Sequence, residues 1–239
     1  MSSRKLLGLL LTLGLTAGCG GSEPAGPPAT AAPPAAPAAA ADARAETPST
    51  RPRIVFLGDS LTAGLGLPVS ESYPSLIQGR LDAAGYEYEV VNAGVSGDTS
   101  AGGLRRLDWV LEGPVEVLVV ALGGNDGLRG LSPDDLRANL TTIIERARAR
   151  DIRVVLAGME APPNFGADYT ARFREVYRDL AREYDLIFVP FLLQGVAGDA
   201  ALNQGDGIHP NTRGAEVVAD TIWQALEPAL SRPTEPATR

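Results

Sequence analysis

Cysteine and histidine are almost missing from this chain, which has one of each, Cys19 and His209, among 239 residues. A single thiol excludes an intramolecular disulfide and a metal site built from several cysteines. Basic residues are in the minority, because 21 Lys and Arg stand against 29 Asp and Glu and give a formal charge of −8. The basic side chains are scattered rather than clustered, so we expect no nucleic-acid partner.

Motifs that hold nucleotide phosphates are also missing. The chain has no G-x-x-x-x-G-K-[ST], and no predicted strand is followed by G-x-G-x-x-G. Three aspartates that follow predicted strands, Asp59, Asp98 and Asp126, raise the alternative of a Mg²⁺ site. Because no motif of metal-dependent phosphate transfer accompanies them, we expect no metal and no cofactor, and we interpret Asp59 as a residue that holds its loop by hydrogen bonds.

The N-terminus carries the pattern of an export signal. Arg4 and Lys5 precede an apolar stretch over residues 6–17, which is too short to span a bilayer. The stretch ends in Leu-Thr-Ala-Gly before Cys19, and this resembles the bacterial lipobox, although the leucine lies one position earlier than in the commonest pattern. The resemblance implies removal of residues 1–18 and lipidation of Cys19. An ordinary signal peptide that happens to contain a cysteine is the alternative.

Composition divides the rest of the chain. Residues 19–50 are rich in Pro and Ala and have few large apolar side chains, so they are predicted to be a disordered tether between a membrane and a domain. Aliphatic runs begin only after this segment and predict a single domain over residues 51–231. The last residues, 232–239, are predicted to be a disordered tail. The chain is therefore expected to be exported and lipid-anchored in the cell envelope.

Strand and helix patterns alternate through the predicted domain. Short apolar runs rich in β-branched residues predict five strands, over 54–57, 88–91, 115–122, 152–157 and 186–189. Helical spacing predicts five helices, over 73–84, 100–111, 134–150, 171–184 and 214–230. Capping residues support two of the helix starts, at Ser132-Pro133 and at Asn211-Thr212. The alternation predicts a three-layer α/β/α domain around a parallel sheet.

The loops after the predicted strands carry four short motifs. Parallel sheets of this class bind ligands beyond the carboxyl ends of their strands. These loops contain Gly-Asp-Ser-Leu at 58–61, Gly-Asp-Thr at 97–99, Gly-Gly-Asn-Asp at 123–126 and Asp-Gly-Ile-His-Pro at 206–210. Together and in this order, over about 150 residues, they resemble the four blocks of the SGNH (GDSL) hydrolases. The resemblance implies a flavodoxin-like fold with a five-stranded parallel sheet and serine hydrolase activity.

The residues themselves favour nucleophilic catalysis. A serine hydroxyl needs a base to remove its proton, and His209 is the one imidazole available to Ser60. Asp206 lies three residues before His209 and can accept a hydrogen bond from the other ring nitrogen. A structural histidine and a turn or capping aspartate are the alternatives. The α/β-hydrolase elbow is excluded as the scaffold, because Ser60 does not stand in G-x-S-x-G.

The resemblance also implies where the developing oxyanion is stabilised. It assigns the donors to the backbone amides of Ser60 and Gly97 and to the side-chain amide of Asn125. Glycine at 97 suits a close approach of the backbone to a ligand. From the residues alone, Gly97 and Asn125 are equally compatible with simple turns.

Two stretches narrow the resemblance to a subgroup. Residues 121–131 and 159–169 look like those of the bacterial periplasmic acyl-CoA thioesterases, arylesterases and lysophospholipases. An acyl chain would then contact apolar walls formed by Leu128, Leu131, Pro162, Pro163 and Phe165, for which ordinary loop packing is the alternative. The substrate is thus expected to be a small acyl ester, a lysophospholipid or an acyl thioester. Two alternative functions stay open: a carbohydrate O-acetylesterase, and a non-catalytic lipoprotein that binds lipid or glycan. The oligomeric state is not predicted.

Overall fold

The computed structural model describes residues 51–230. The predicted signal peptide, lipidation site, tether and tail lie outside the described residues and stay predictions. Five strands form one sheet: β1 Arg53–Gly58, β2 Glu89–Gly94, β3 Val115–Ala121, β4 Arg153–Ala157 and β5 Ile187–Val189. Every pair of neighbouring strands is parallel, in the order β2-β1-β3-β4-β5. The predicted α/β class and five-stranded parallel sheet are confirmed.

Eight α-helices accompany the sheet within residues 51–230, namely α1 Ser60–Ala63, α2 Tyr73–Ala83, α3 Ser100–Arg105, α4 Leu107–Val110, α5 Gly124–Leu128, α6 Pro133–Arg148, α7 Ala167–Glu183 and α8 Thr212–Leu226. Helix α2 packs against α8, whereas α6 packs against both α3 and α7. Among these residues, no helix is both long enough and apolar enough to cross a membrane.

Capping explains the starts of the long helices. The Ser132 hydroxyl accepts hydrogen bonds from the backbone N–H groups of Asp134 and Asp135, and Pro133 takes the first position of α6, where its missing N–H costs nothing. The Asn211 side chain accepts from the N–H of Gly214 at the start of α8. Both predicted starts are therefore confirmed.

The central strands are apolar because helices cover both faces of the sheet. Val117 to Val120 of β3 and Ile54, Phe56 and Leu57 of β1 have no exposed surface. Continuous burial of this kind is expected for the inner strands of a parallel sheet and leaves no room for the alternating polar residues of a one-sided sheet.

The strand register brings the loops after β1, β2 and β3 to the same edge of the sheet. Gly58, the last residue of β1, pairs with Gly94 at the end of β2 and with Ala121 at the end of β3. The chain leaves β1 toward β2 on one side and crosses to β3 on the other, so the strand order reverses beside β1. Loops that diverge at such a reversal leave a crevice between them, and this is where ligands bind in this class of fold.

The structure differs from the sequence prediction in the short helices. Residues 60–63 and 124–128, expected to be loops, form α1 and α5, and the helix predicted over 100–111 is divided at Arg106 into α3 and α4. Helices of one turn have too few residues to show a periodic apolar pattern, so propensity did not reveal them. The Asp59 carboxylate begins α1 by accepting from the N–H of Leu61.

Candidate active site

Ser60 is the first residue of α1, directly after β1. Its Oγ lies 2.8 Å from His209 Nε2, although 149 positions separate the two residues in sequence. This contact is what an imidazole needs to take the hydroxyl proton, and its length is that of an ordinary hydrogen bond.

Asp206 orients His209 from the other side of the ring. Its Oδ2 lies 2.6 Å from His209 Nδ1, and its Oδ1 accepts from the backbone N–H groups of His209, at 3.0 Å, and Ile208, at 2.9 Å. The backbone hydrogen bond from His209, followed by the one from Ile208, lowers the pKa of Asp206 below its usual value. An ionised carboxylate only accepts, so Nδ1 carries the proton and Nε2 is free to act as a base.

The loop that carries Asp206 and His209 is joined to the loop after α1. Gln204 donates from its Nε2 to the carbonyl oxygens of Leu65, at 2.7 Å, and Pro210, at 2.9 Å, and its backbone N–H donates to His209 O. Gln204 was not among the predicted site residues. Glutamine at this position belongs to no motif, and its role becomes visible only when the two loops are seen together.

Of the three predicted oxyanion donors, Ser60 and Asn125 line the same cavity, and Gly97 is not among its lining residues. The N–H groups of Ser60 and Gly97 have no acceptor within the described residues. Gly97 has φ = +85°, a conformation that favours glycine. A Cβ built at Gly97 would have room, because the nearest atom, Arg129 Nη2, would be 3.8 Å away. Glycine is therefore favoured here by the backbone conformation and not by a lack of space.

The Gly97 turn is held by groups outside the predicted set. Arg129 Nη2 donates to Gly97 O at 2.9 Å. Arg106 pairs with Asp98 at 2.7 Å and donates to Gly58 O at 2.9 Å, so it joins this turn to the end of β1. These two arginines hold the turn that contains Gly97.

The three aspartates considered for a metal each contact protein donors. Asp59 accepts from Leu61 N and from Asn125 Nδ2, and Asp126 accepts from both the N–H and the hydroxyl of Ser100. Asp98 pairs with Arg106. Within residues 51–230, no group of three or more His, Cys, Asp or Glu side chains is arranged to hold a metal ion.

A cavity of about 600 Å³ opens beside Ser60 and His209. Its polar lining includes Asp59, Asn125 and Glu160, and its apolar wall consists of Leu61, Leu128, Met159, Ala161, Pro162, Pro163, Phe191, Leu193, Ala197 and Ile208. Of the five predicted wall residues, Leu128, Pro162 and Pro163 line the cavity.

Leu131 and Phe165 are not part of this lining. Both are partly exposed, and Phe165 packs against the ring of Tyr169 at a centroid distance of 5.3 Å and against Gly130. The chain turns away from the cavity after α5, so contiguity in sequence with Leu128 does not bring Leu131 to the same wall. The wall instead includes Phe191 and Ile208, which follow β5; Ile208 lies within the motif at 206–210, but neither residue was predicted to line the cavity.

Burial raises the pKa of Asp59 from 3.8 to about 6, against the lowering effect of its hydrogen bonds from Leu61 and Asn125 and of nearby His209. The folded state therefore holds a proton on Asp59 up to about pH 6, whereas the unfolded chain releases it near 3.8. The stability that this proton contributes is complete below pH 3.8 and is lost as the pH rises through 6.

Asp59→Asn should accordingly stabilise the fold at pH 8 and not at pH 4. The difference in pKa means that ionised Asp59 lowers the free energy of unfolding by ~3 kcal/mol at pH 8. Asparagine removes this cost but loses the hydrogen bond from Asn125, which offsets ~1 kcal/mol, so the free energy of unfolding should rise by about 2 kcal/mol. Urea unfolding of both proteins at the two pH values measures it. An equal difference at pH 4 and pH 8 would show that ionisation of Asp59 is not the cause.

Comparison with known proteins agrees with this geometry. The chain matches the GDSL-like Lipase/Acylhydrolase family over residues 56–217. Esterase TesA of Pseudomonas aeruginosa is 44% identical over 178 residues, which are 74% of this chain and 89% of that protein. Thioesterase 1/protease 1/lysophospholipase L1 of Escherichia coli K12 is 35% identical over 179 residues, 74% of this chain and 85% of that protein.

A solved structure shares the fold. The crystal structure of TesA matches with a TM-score of 0.72 at 44% sequence identity, covering 74% of this chain and 99% of that one. The family match includes the second half of β1, the strands β2 to β5, and the loops with Ser60, Gly97, Asn125 and His209. This chain therefore belongs to the GDSL-like lipase/acylhydrolase family and is a hydrolase of carboxylic esters.

Proposed function

We propose that this protein is an exported, lipid-anchored serine esterase that cleaves fatty acyl esters through an acyl-enzyme on Ser60. One observation carries the catalytic part of the proposal: Ser60 Oγ, His209 and Asp206 form a continuous hydrogen-bonded chain, with contacts of 2.8 and 2.6 Å. The acyl part rests on the apolar cavity beside that chain.

The chemistry follows from the contacts. His209 Nε2 takes the proton as Ser60 Oγ attacks the substrate carbonyl, and the negative charge that develops on the carbonyl oxygen is met by the N–H groups of Ser60 and Gly97 and by the Asn125 amide. The protonated His209 then gives its proton to the leaving group. Water repeats the sequence on the acyl-enzyme and releases the acid.

The apolar wall favours a fatty acyl group over acetate. Burial of apolar surface contributes ~25 cal/mol per Å², so each methylene that contacts the wall adds to transition-state binding. The names of the two relatives, an esterase and a thioesterase/lysophospholipase, support simple esters, lysophospholipids and acyl thioesters as substrates. A carbohydrate O-acetylesterase would need no such wall, and a non-catalytic binding protein would need no serine–histidine contact.

A matched pair of variants tests the acyl pocket. Leu128→Asn should lower kcat/KM for p-nitrophenyl octanoate about 5- to 30-fold, because the substitution removes ~1–2 kcal/mol of apolar contact and keeps the side-chain size. Leu131→Asn is the control, since this leucine is similarly exposed and lies outside the cavity lining. A series of p-nitrophenyl esters from C2 to C12, together with lysophosphatidylcholine, is the assay.

The pocket proposal predicts that acetate is hydrolysed equally by all three proteins and that octanoate is preferred by the wild type. A wild-type preference for acetate, or an equal loss in both variants, would contradict a fatty acyl pocket and would favour the O-acetylesterase.

Cys19→Ser should change where the protein is found and leave its catalytic constants unchanged. Each buried methylene of an acyl anchor contributes ~0.8 kcal/mol, and stable attachment takes more than one chain. Without the acceptor sulfur, the protein should move from the detergent-extracted membrane fraction to the soluble fraction, or remain uncleaved. Wild-type protein that is soluble and carries no lipid by mass spectrometry would contradict the anchor and leave the esterase proposal intact.

A further inference from the structure

Asp59 is a buried carboxylate that joins the nucleophile to the oxyanion donor. Its side chain is only 2% exposed, yet it lines the cavity beside Ser60 and Asn125. Oδ1 accepts from the N–H of Leu61 in α1, at 3.1 Å, and Oδ2 accepts from Asn125 Nδ2 in α5, at 3.2 Å. One carboxylate therefore contacts the two short helices that carry the reacting groups.

The close approach of these two helices is built into the sequence. Gly124 precedes Asn125, and a Cβ at Gly124 would lie 3.0 Å from Asp59 Oδ2 and 3.3 Å from Met159 Cε. Glycine thus leaves the carboxylate room beside α5. Helix α5 has one turn, so it relies on such contacts to hold the Asn125 side chain in place.

An asparagine amide is useful to an oxyanion only in one of its two orientations. The NH₂ group stabilises a developing negative charge, whereas the amide oxygen repels it. Above about pH 6 Asp59 is ionised, and an ionised carboxylate accepts hydrogen bonds and cannot donate them, so Asp59 selects the orientation in which the NH₂ group faces it. One N–H of Asn125 is then held by Asp59 and the other is left for the substrate.

We propose that Asp59 is a positioning residue that fixes the amide orientation of Asn125 and so completes the oxyanion hole. The inference rests on the proposed function, because it assumes that Asn125 stabilises the oxyanion. Asp59 itself takes no part in proton transfer and does not touch the reacting atoms.

A double-mutant cycle tests whether Asp59 acts through Asn125. Asp59→Asn should lower kcat for a p-nitrophenyl ester about 10- to 100-fold and change KM less than about threefold, because an oriented donor matters mainly in the transition state. In the Asn125→Ala background, the same substitution should lower kcat less than about twofold. Asp135→Asn, at an exposed aspartate of α6, is the control and should match the wild type.

A second variant separates positioning from helix capping. Asp59→Ser keeps a side-chain oxygen that can cap α1 but is too short to reach Asn125, so it should lose activity as Asp59→Asn does. It also provides the test if Asp59→Asn does not fold.

Two results would overturn the inference: full activity in both Asp59 variants, or an equal loss with and without Asn125, which would mean that Asp59 acts on α1 alone. Ser60→Ala in the same assay shows separately whether the proposed function holds, since its inactivity does not depend on Asp59.

Discussion

Ser60→Ala should lower kcat by at least about 10⁴-fold, because the hydroxyl that forms the acyl-enzyme is gone and only binding and the oxyanion donors remain. The fold should be unaffected, since the variant loses one half-buried hydrogen bond to His209, which contributes ~1 kcal/mol. Initial rates with p-nitrophenyl butyrate and octanoate, with thermal unfolding beside them, measure both effects.

The matched control is Ser70→Ala, which removes an exposed hydroxyl from the 3₁₀ turn Val69–Glu71 and should keep full activity. Turnover of more than a few per cent in Ser60→Ala would remove Ser60 as the nucleophile. The rate that remains in Ser60→Ala also sets an upper limit on the contribution of contaminating esterases.

His209→Ala should be almost as damaging, and the double variant Ser60→Ala/His209→Ala should be no slower than either single variant. The two groups act as one unit through the 2.8 Å contact, so the second substitution removes nothing that still functions. Steady-state rates of the three variants, corrected for active protein, measure this. Effects that multiply would mean that His209 contributes independently of Ser60 and is not its base.

The sequence predicted the parts of the fold that follow from long-range patterns. Five apolar runs became five parallel strands because continuous apolar stretches such as Val117 to Val120 are stable only when both faces are covered. The strand bounds differ by at most three residues; β2, for instance, begins at Glu89 and extends to Gly94, past the predicted end at Val91. Patterns of side-chain burial do not show where the ladder of backbone hydrogen bonds ends.

Only the site residues that lie within the sequence motifs could be predicted. Ser60, Asp206 and His209 were named from the sequence and lie in contact, while their catalytic roles, like those of Gly97 and Asn125, stay proposals. Gln204, Arg106 and Arg129 were missed because each acts by reaching a backbone carbonyl in another loop, and any donor of suitable length would fit such a contact.

The residues of the cavity wall could also be predicted only in part from the sequence. Leu128 and Leu131 look equivalent in sequence, but α5 ends between them and the chain turns away from the cavity. Ile208 lies beside His209 and lines the cavity, yet as a single apolar residue in a loop it gave no signal. Substrate specificity depends on such positions, and they become visible only in three dimensions.

The central claim is that Ser60 is an activated nucleophile, and covalent labelling with a fluorophosphonate tests it most directly. Intact-mass spectrometry of the wild-type protein should show one added label, peptide mapping should place it on Ser60, and Ser60→Ala should remain unlabelled. Wild-type protein that stays unlabelled while it hydrolyses esters, or a label on a residue other than Ser60, would contradict the account.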